Sequence, residues 1–219
     1  MVLSESRLRE LLEPFSLGLA ASQSRQLINY LELLSRWNQR INLTAIRSAE
    51  ECVTRHFGES LFIRRWMTLE GSLLDAGSGA GFPGLALKIV FPDLSVTLLE
   101  PVAKKRAFLK EAARECNFKL VDVRGERLKD FVRIKPSATF DSLTSRGVGH
   151  LDRLLPDFKK CLREGGRLIL WLTSRQAEPL KNSAELKWAS PISIPLSRNG
   201  EIWHATKLTG SRLSTTMAT

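Results

Sequence analysis

Asp75, Gly77, Gly79 and Gly81 occupy alternate positions in Leu73-Leu74-Asp75-Ala76-Gly77-Ser78-Gly79-Ala80-Gly81-Phe82-Pro83-Gly84. Glycines let a backbone turn tightly and approach a ligand with no Cβ in the way, and the N–H groups opening a following helix can receive a negatively polarised group. Two cofactor classes use such a loop. Gly79, Gly81 and Gly84 fit the dinucleotide spacing G-x-G-x-x-G. Asp75, Gly77, Gly79 and Gly81 fit the acid-x-G-x-G-x-G spacing of S-adenosylmethionine sites. The acid favours the second class, since a carboxylate at the strand end suits a cationic methionyl group and repels a pyrophosphate. Glu100 closes the next apolar run, Val96-Thr97-Leu98-Leu99, about 20 residues on, where a ribose-binding carboxylate belongs in either class.

Further candidates follow later apolar runs. Arg124-Gly125-Glu126 should border the same crevice, with Gly125 allowing close approach and Glu126 accepting from an adenine amine or closing a turn. In Ser145-Arg146-Gly147, Arg146 is the candidate to meet cofactor carboxylate or substrate; its bland alternative is a salt bridge to a core carboxylate such as Asp75 or Glu126. Arg36, Arg40 and Arg55, and the cluster Lys104-Lys105-Arg106, are candidate phosphate contacts. His56, beside Phe57, reads as a packing residue before a catalytic one. Cys52, Cys116 and Cys161 lack C-x-x-C spacing, so reduced, buried thiols are expected and no metal site.

These residues need a scaffold, and the pattern supplies an α/β one. Strands are expected near 72–76, 95–100, 119–124, 139–144 and 167–173, with helices near 82–91, 101–116, 127–133, 150–162 and 176–186, an alternation that makes a doubly wound domain. Pro101 should open its helix, with Val102 turned to the sheet and Lys104-Lys105-Arg106 outward. Before the core, residues 4–46 read as a helical cap, with Ser22 as an N-cap and Asn42 and Thr44 holding a turn through their side chains. Helical segments around 49–56 and 59–66 follow. Residues 187–208 read as two strands joined at Ser197-Arg198-Asn199-Gly200. The expected organisation is a cap over 1–66, a core over 67–210 and a disordered tail over 211–219, compact as one unit.

A chain of 219 residues, 43% hydrophobic, suits one globular domain with an appendage. No apolar run approaches the ~20 residues that span a bilayer, and the N-terminus has no signal-peptide core, so the expected location is cytoplasmic. A formal net charge of +10 calls for a polyanionic partner, with nucleic acid favoured over membrane.

In their order along the chain, several of these motifs resemble the bacterial 16S ribosomal RNA guanine-N7 methyltransferase family, also called glucose-inhibited division protein B. The matching residues are Trp37-Asn38 with Asn42-Leu43-Thr44, Arg55-His56 and Ser60, the loop from Asp75 to Gly84, Leu98-Leu99-Glu100 with Lys104-Lys105 and Phe108-Leu109, Arg124-Gly125-Glu126, and Ser145-Arg146. The resemblance implies a Rossmann-like class I S-adenosylmethionine-dependent methyltransferase: a doubly wound, mostly parallel seven-stranded sheet with an N-terminal helical cap. It implies S-adenosylmethionine as cofactor, with contacts at Gly77 and Phe82, at Gly125 and Glu126 beside adenine, and at Arg146. The implied partner is 16S ribosomal RNA or the small subunit. Separately, the protein is expected to be a monomer. The chain departs from the family pattern at Glu59, where Asp is usual, at Thr173-Ser174 in place of Lys-Gly, and at Ile202-Trp203 in place of an Arg. Rival readings are methyl transfer to another RNA, a small molecule or a protein, a non-catalytic RNA-binding assembly factor, and a dinucleotide oxidoreductase.

Overall fold

The computed structural model describes residues 3–136 and 139–209. It opens on the apolar stripes visible in the sequence. Helix α1 (Glu5–Leu12) is capped by Ser4, whose Oγ accepts the Arg7 N–H at 3.2 Å. A 3₁₀ turn at Glu13–Phe15 leads to α2 (Ala21–Asn38), which buries Leu27, Tyr30, Leu31 and Leu34; burial of each such leucine is worth about 1.5–3 kcal/mol. Ser22 is not the cap. The helix begins after Ala20, whose N–H is satisfied by Gln23 Oε1 at 3.0 Å.

The turn after α2 is organised by Asn38 rather than Asn42. Asn38 Oδ1 accepts from the Leu43 and Thr44 N–H groups, and its Nδ2 donates to the Thr44 and Ile46 carbonyls. Thr44 does hold its part, accepting the Ile46 N–H at 3.1 Å. The two helical segments expected next are one rod. Helix α3 (Ala49–Cys52) continues through a π turn at Val53–Gly58 into α4 (Glu59–Leu61) and a 3₁₀ turn at Phe62–Arg65. Val53, Phe57 and Leu61 are all fully buried on one face, so no break opens between the segments.

The core then alternates: β1 (Ser72–Ala76), α5 (Gly84–Val90), β2 (Ser95–Leu99), α6 (Ala103–Glu115), β3 (Val121–Arg124), α7 (Leu128–Ile134), β4 (Phe140–Arg146), α8 (Leu151–Cys161) and β5 (Leu162–Leu172). Pro101 lies ahead of α6, because Glu100 Oε1 takes the Val102 N–H at 2.8 Å and the chain turns first. Val102 is exposed, not packed on the sheet. The helix expected over 176–186 shrinks to α9 (Ser174–Ala177) and a 3₁₀ turn at Glu178–Leu180, where Pro179 has no N–H to extend the ladder. The expected closing hairpin contains an extra strand: β6 (Leu186–Trp188) and β7 (Ile192–Ser193) both pair antiparallel with β8 (Glu201–Lys207), so the described sheet has eight strands, not seven. The expected tail over 211–219 lies outside the described residues.

Strand order is β3-β2-β1-β4-β5-β8-β6, with β3 through β5 parallel and β8 antiparallel to β5. The order reverses between β1 and β4, which opens a crevice at the carboxyl ends of those strands. Alternating side chains face two layers. Leu73, Val96, Leu98 and Ile169 join α5, α6 and the cap helices in one buried cluster. Leu74, Leu99, Leu143 and Leu168 join α7 and α8 in the other. The first cluster runs without interruption from Leu8 of the cap to Ile202 of the sheet.

Tyr30 joins the cap to the loop after β1. Its hydroxyl, fully buried, donates to the Ala80 carbonyl at 2.7 Å, and Gly81, at φ +85°, gives it room: a Cβ there would stand 2.1 Å from Tyr30 Oη. Gly81→Ala should therefore lower stability by about 2–4 kcal/mol, from left-handed backbone strain together with a lost buried hydrogen bond. Much of the steric part should be recovered in a Tyr30→Phe/Gly81→Ala double variant, so the two substitutions should be clearly non-additive in urea or thermal unfolding. Simple additivity would refute this packing.

Candidate functional site

The glycine loop is held over the end of β2. The Gly77 and Ser78 N–H groups both donate to the Leu99 carbonyl at 3.0 Å, and the Gly79 N–H donates to Glu100 Oε2 at 2.9 Å. Gly77, at φ +77°, is needed for close approach, since a Cβ there would lie 2.6 Å from Val148 Cγ2 in the loop after β4. Glu100 thus spends one carboxylate oxygen on the glycine loop and the other on the Val102 N–H.

Between the loops after β1, β2, β3 and β4 lies a cavity of about 410 Å³. Ala76, Gly77, Leu99, Leu128 and Leu154 give it mostly apolar walls, with Glu126 and His150 at its rim. Size and mostly apolar walls fit an adenosyl group. Of the cofactor candidates, Gly77 and Glu126 line this cavity. Glu126 is paired with Arg124, which holds its carboxyl below the ordinary range. Gly79 and Glu100 form the loop framework behind it. Gly125 lies under the Arg106 guanidinium, whose Nη1 donates to the Glu100 and Pro101 carbonyls at 3.0 and 2.6 Å. Arg106 is accordingly a brace between two loops, not an outward phosphate contact.

Two further candidates face elsewhere. Asp75 is 1% exposed. Its Oδ1 accepts the Thr144 hydroxyl at 2.8 Å, and its Oδ2 has no hydrogen-bond partner among the described residues. Burial pushes its carboxyl up to about 6, against the Thr144 hydrogen bond. It anchors β1 to β4 rather than reaching into the cavity. The Phe82 ring is also interior, stacked between Tyr30 (centroids 5.6 Å apart) and His56 (4.7 Å), with Phe57 edge-on at 4.9 Å. Its side chain therefore shapes the loop from behind. His56 is bound to Thr44 Oγ1 at 2.7 Å, its Nδ1 is buried without a partner, and burial with the nearby Arg146 and Arg55 charges lowers it to about 4. It is a neutral packing group, as the sequence suggests.

Arg146 ends β4 and faces the cap rod. Its guanidinium donates to Glu59 Oε2 at 2.7 Å, to Ser60 Oγ at 3.2 Å, and to the Arg55 and His56 carbonyls. The salt bridge of the alternative reading is thus present, with Glu59 as its carboxylate in place of Asp75 or Glu126. Beside this pair opens a second cavity of about 560 Å³, walled by Arg55, Glu59, Arg146, Gly147, Trp171 and the turn from Ile194 to Gly200. Gly147 belongs to this cavity and the next two residues, Val148 and Gly149, to the first, so one short loop separates the two spaces. Trp171, which sequence reasoning passed over, pairs with Arg146 in the sheet and donates its Nε1–H to the Glu59 carbonyl at 2.8 Å. His150, Leu128 and Leu154 were also missed; their one signal is position just after β3 or β4.

Among the remaining candidates, Arg55 is exposed and pairs with Glu51 at 3.4 Å. Arg36, Arg40 and Lys104 are exposed and Lys105 partly so. At the two positions where the resemblance leads to an expectation of basic residues, Thr173 caps α9 and Ile202 is fully buried. The three cysteines are free and buried, and burial pushes their thiols up to about 11 or 12. No cluster of metal-ligating side chains occurs among the described residues.

Comparison with known proteins adds three findings. The family described as "GidB: rRNA small subunit methyltransferase G" matches residues 23–197. The ribosomal RNA small subunit methyltransferase G of Halorhodospira halophila is 38% identical over 181 residues, 83% of this chain and 82% of that protein, and its counterpart in Pseudomonas aeruginosa is 35% identical over 175 residues, 80% and 78%. Among solved structures, the ribosomal protein L11 methylase of Lactobacillus delbrueckii subsp. bulgaricus superposes with a TM-score of 0.57 at 15% identity, over 71% of this chain and 79% of that one, a likeness of fold.

Asp75 and His56 give stability opposite pH dependences. His56 titrates near 6.5 unfolded and about 4 folded, so acidification from pH 6.5 to 4 favours the unfolded chain. Asp75 titrates near 3.8 unfolded and about 6 folded, so acidification from pH 6 to 3.8 favours the fold. Each contributes on the order of 3 kcal/mol across its window, and the two largely cancel. Relative to wild type, Asp75→Asn should lose stability on acidification through pH 6 to 4, and His56→Gln should gain it. Parallel denaturation profiles for all three proteins would sink this account.

Proposed function

Because the chain belongs to the rRNA small subunit methyltransferase G family, we propose that it methylates N7 of a guanine in small-subunit ribosomal RNA, with S-adenosylmethionine as methyl donor. The observation that carries this reading is the pair of adjacent cavities at the carboxyl ends of β1 and β4, parted only by the loop at Gly147 and Val148. The first would hold the adenosyl portion of the cofactor between Ala76, Leu99 and Leu128, with Gly77 allowing close approach and Glu126 at the rim. When bound, S-adenosylmethionine supplies the electrophilic sulfonium methyl. The second cavity would hold the target base.

Guanine N7 carries a lone pair and no proton, so no general base is required. The second cavity matches that requirement. Its acid, Glu59, is engaged by Arg146, and His56 beside it is held neutral in an aromatic stack. What this chain's residues contribute is placement, which alone can supply about 7–11 kcal/mol. Arg146 acts as a positioning residue: by gripping the rod at Arg55, His56, Glu59 and Ser60 it sets the cap against the end of β4. Glu100 plays the same part for the glycine loop, and Asp75 for the pairing of β1 with β4.

Arg36, Arg40, Lys104 and Lys105 are the proposed phosphate contacts, and none makes a side-chain hydrogen bond or ion pair among the described residues. The helical cap and the sheet work as one unit, since Tyr30 and Arg146 fasten one to the other. Both cavities are completed within a single chain, so the proposed working unit is a monomer, and the proposed setting is the cytoplasm, where small subunits are made. No helix among the described residues is long and apolar enough to cross a membrane.

Incubation with methyl-labelled S-adenosylmethionine and small subunits from cells lacking this activity should place label in 7-methylguanosine after digestion to nucleosides. Label in another nucleoside or in protein would overturn the reading. Replacing Arg36, Arg40, Lys104 and Lys105 together by Gln should flatten the log–log salt dependence of RNA binding by about 3, from about 0.7 per phosphate on single strands, while cofactor affinity stays unchanged. An unaltered slope would remove those residues from the RNA surface.

A further inference from the structure

Within the second cavity, Glu59 has an unusual combination of attachment and freedom. It is 9% exposed, and one carboxylate oxygen, Oε2, is fixed by Arg146 at 2.7 Å. Its main-chain carbonyl is fixed by the Trp171 indole. The other oxygen, Oε1, makes no hydrogen bond among the described residues and only a long ion pair, with Arg55 Nε at 3.9 Å. A rigidly held carboxylate therefore lines a cavity with one acceptor oxygen whose sole partner among the described residues is a distant, exposed arginine. Structural needs alone would be met by Oε2 and the carbonyl.

We propose that Glu59 is the base-selecting residue of the reaction, its Oε1 accepting from the N1–H and N2–H groups of the target guanine. This rests on the reading of the second cavity as the base site. Guanine is the common RNA base whose Watson–Crick edge offers two adjacent donors, N1–H and the N2 amino group, and a carboxylate is the side chain that accepts both. Adenine would present the N1 lone pair to the same oxygen, a repulsive contact in a site shielded from water. Reading that edge leaves N7 on the far side of the purine, unobstructed and free to face the loop at Gly147. Leu196, 70% exposed on the cavity's turn, and Ile194 offer apolar surface to the base plane.

The test uses the full chain and reconstituted small subunits whose target nucleotide, located first by the labelling experiment, is guanosine, inosine or 1-methylguanosine. Inosine lacks the N2 donor and 1-methylguanosine the N1 donor, and both keep N7. With wild-type protein each analogue should reduce kcat/KM by about 10- to 100-fold, the effect of losing a hydrogen bond to a charged group. Glu59→Gln should lower kcat/KM on guanosine and shrink the inosine penalty to a few-fold, with cofactor affinity unchanged. Glu59→Asp should keep most of the penalty. If wild-type protein methylates inosine and 1-methylguanosine as well as guanosine, the inference is overturned, and that result stands even if Glu59→Gln fails to fold. An inosine penalty as large in Glu59→Gln as in wild type also overturns it. Absence of any methylation of guanosine by wild-type protein would instead strike down the functional reading itself.

Discussion

A loop that leaves space for a ligand must have its own polar groups satisfied from behind, and this constraint governs the molecule. Between Asp75 and Gly84 the backbone runs through left-handed conformations at Gly77, Gly79 and Gly81, where no regular ladder can form. Its N–H groups are met by the Leu99 carbonyl and Glu100, and its Ala80 carbonyl by Tyr30. A buried carbonyl without that partner would cost about 1–3 kcal/mol. The partner comes from α2, which explains why the cap packs directly against the glycine loop and shares its buried cluster. The stack of His56, Phe82 and Tyr30 extends the same support to the helix that follows.

Local periodicity made the scaffold legible. Strands and helices from 72 to 162 fall close to their expected positions because each apolar run alternates with a helical stripe, and the glycine spacing marks the ligand loop directly. Errors arose where a distant side chain decided a local outcome. Pro101 lost its helical position to the Glu100 carboxylate, and Asn42 its turn to Asn38. Arg106 looked free on a helix face, yet two carbonyls upstream claim it. The partners of Arg146 lie 86–91 residues earlier in the chain. No spacing rule couples positions that far apart, so the sequence could nominate Arg146 without saying what it holds. Trp171 and Glu59 were invisible as site residues for the same reason.

The two departures at Thr173 and Ile202 have different structural meanings. Ile202 sits opposite both Trp171 and Ile192 and is fully buried, so a charged side chain there would need a partner that this packing does not provide. Thr173 forms a reciprocal cap with Gln176, a role its hydroxyl fills and an ammonium would not. The mouth of the second cavity nonetheless remains basic through Arg55 and Arg198.

Charge is also sorted by depth. The excess of cations is carried at the surface, where each is solvated and individually weak but their sum attracts a polyanion from a distance. The acids Asp75, Glu59 and Glu100 are buried beside the cavities, where their interactions are short-range and directional. A polyanion that meets this surface is oriented by many exchangeable contacts, and those contacts carry no information about base identity. Discrimination must come from groups that are few, fixed and shielded from water, because only there does an unmatched donor or acceptor cost enough to matter. The cap supplies Glu59, the sheet supplies Arg146 and Trp171, and their mutual bonds keep the acid rigid. The same bonds that hold the cap to the core therefore also set the geometry of the second cavity.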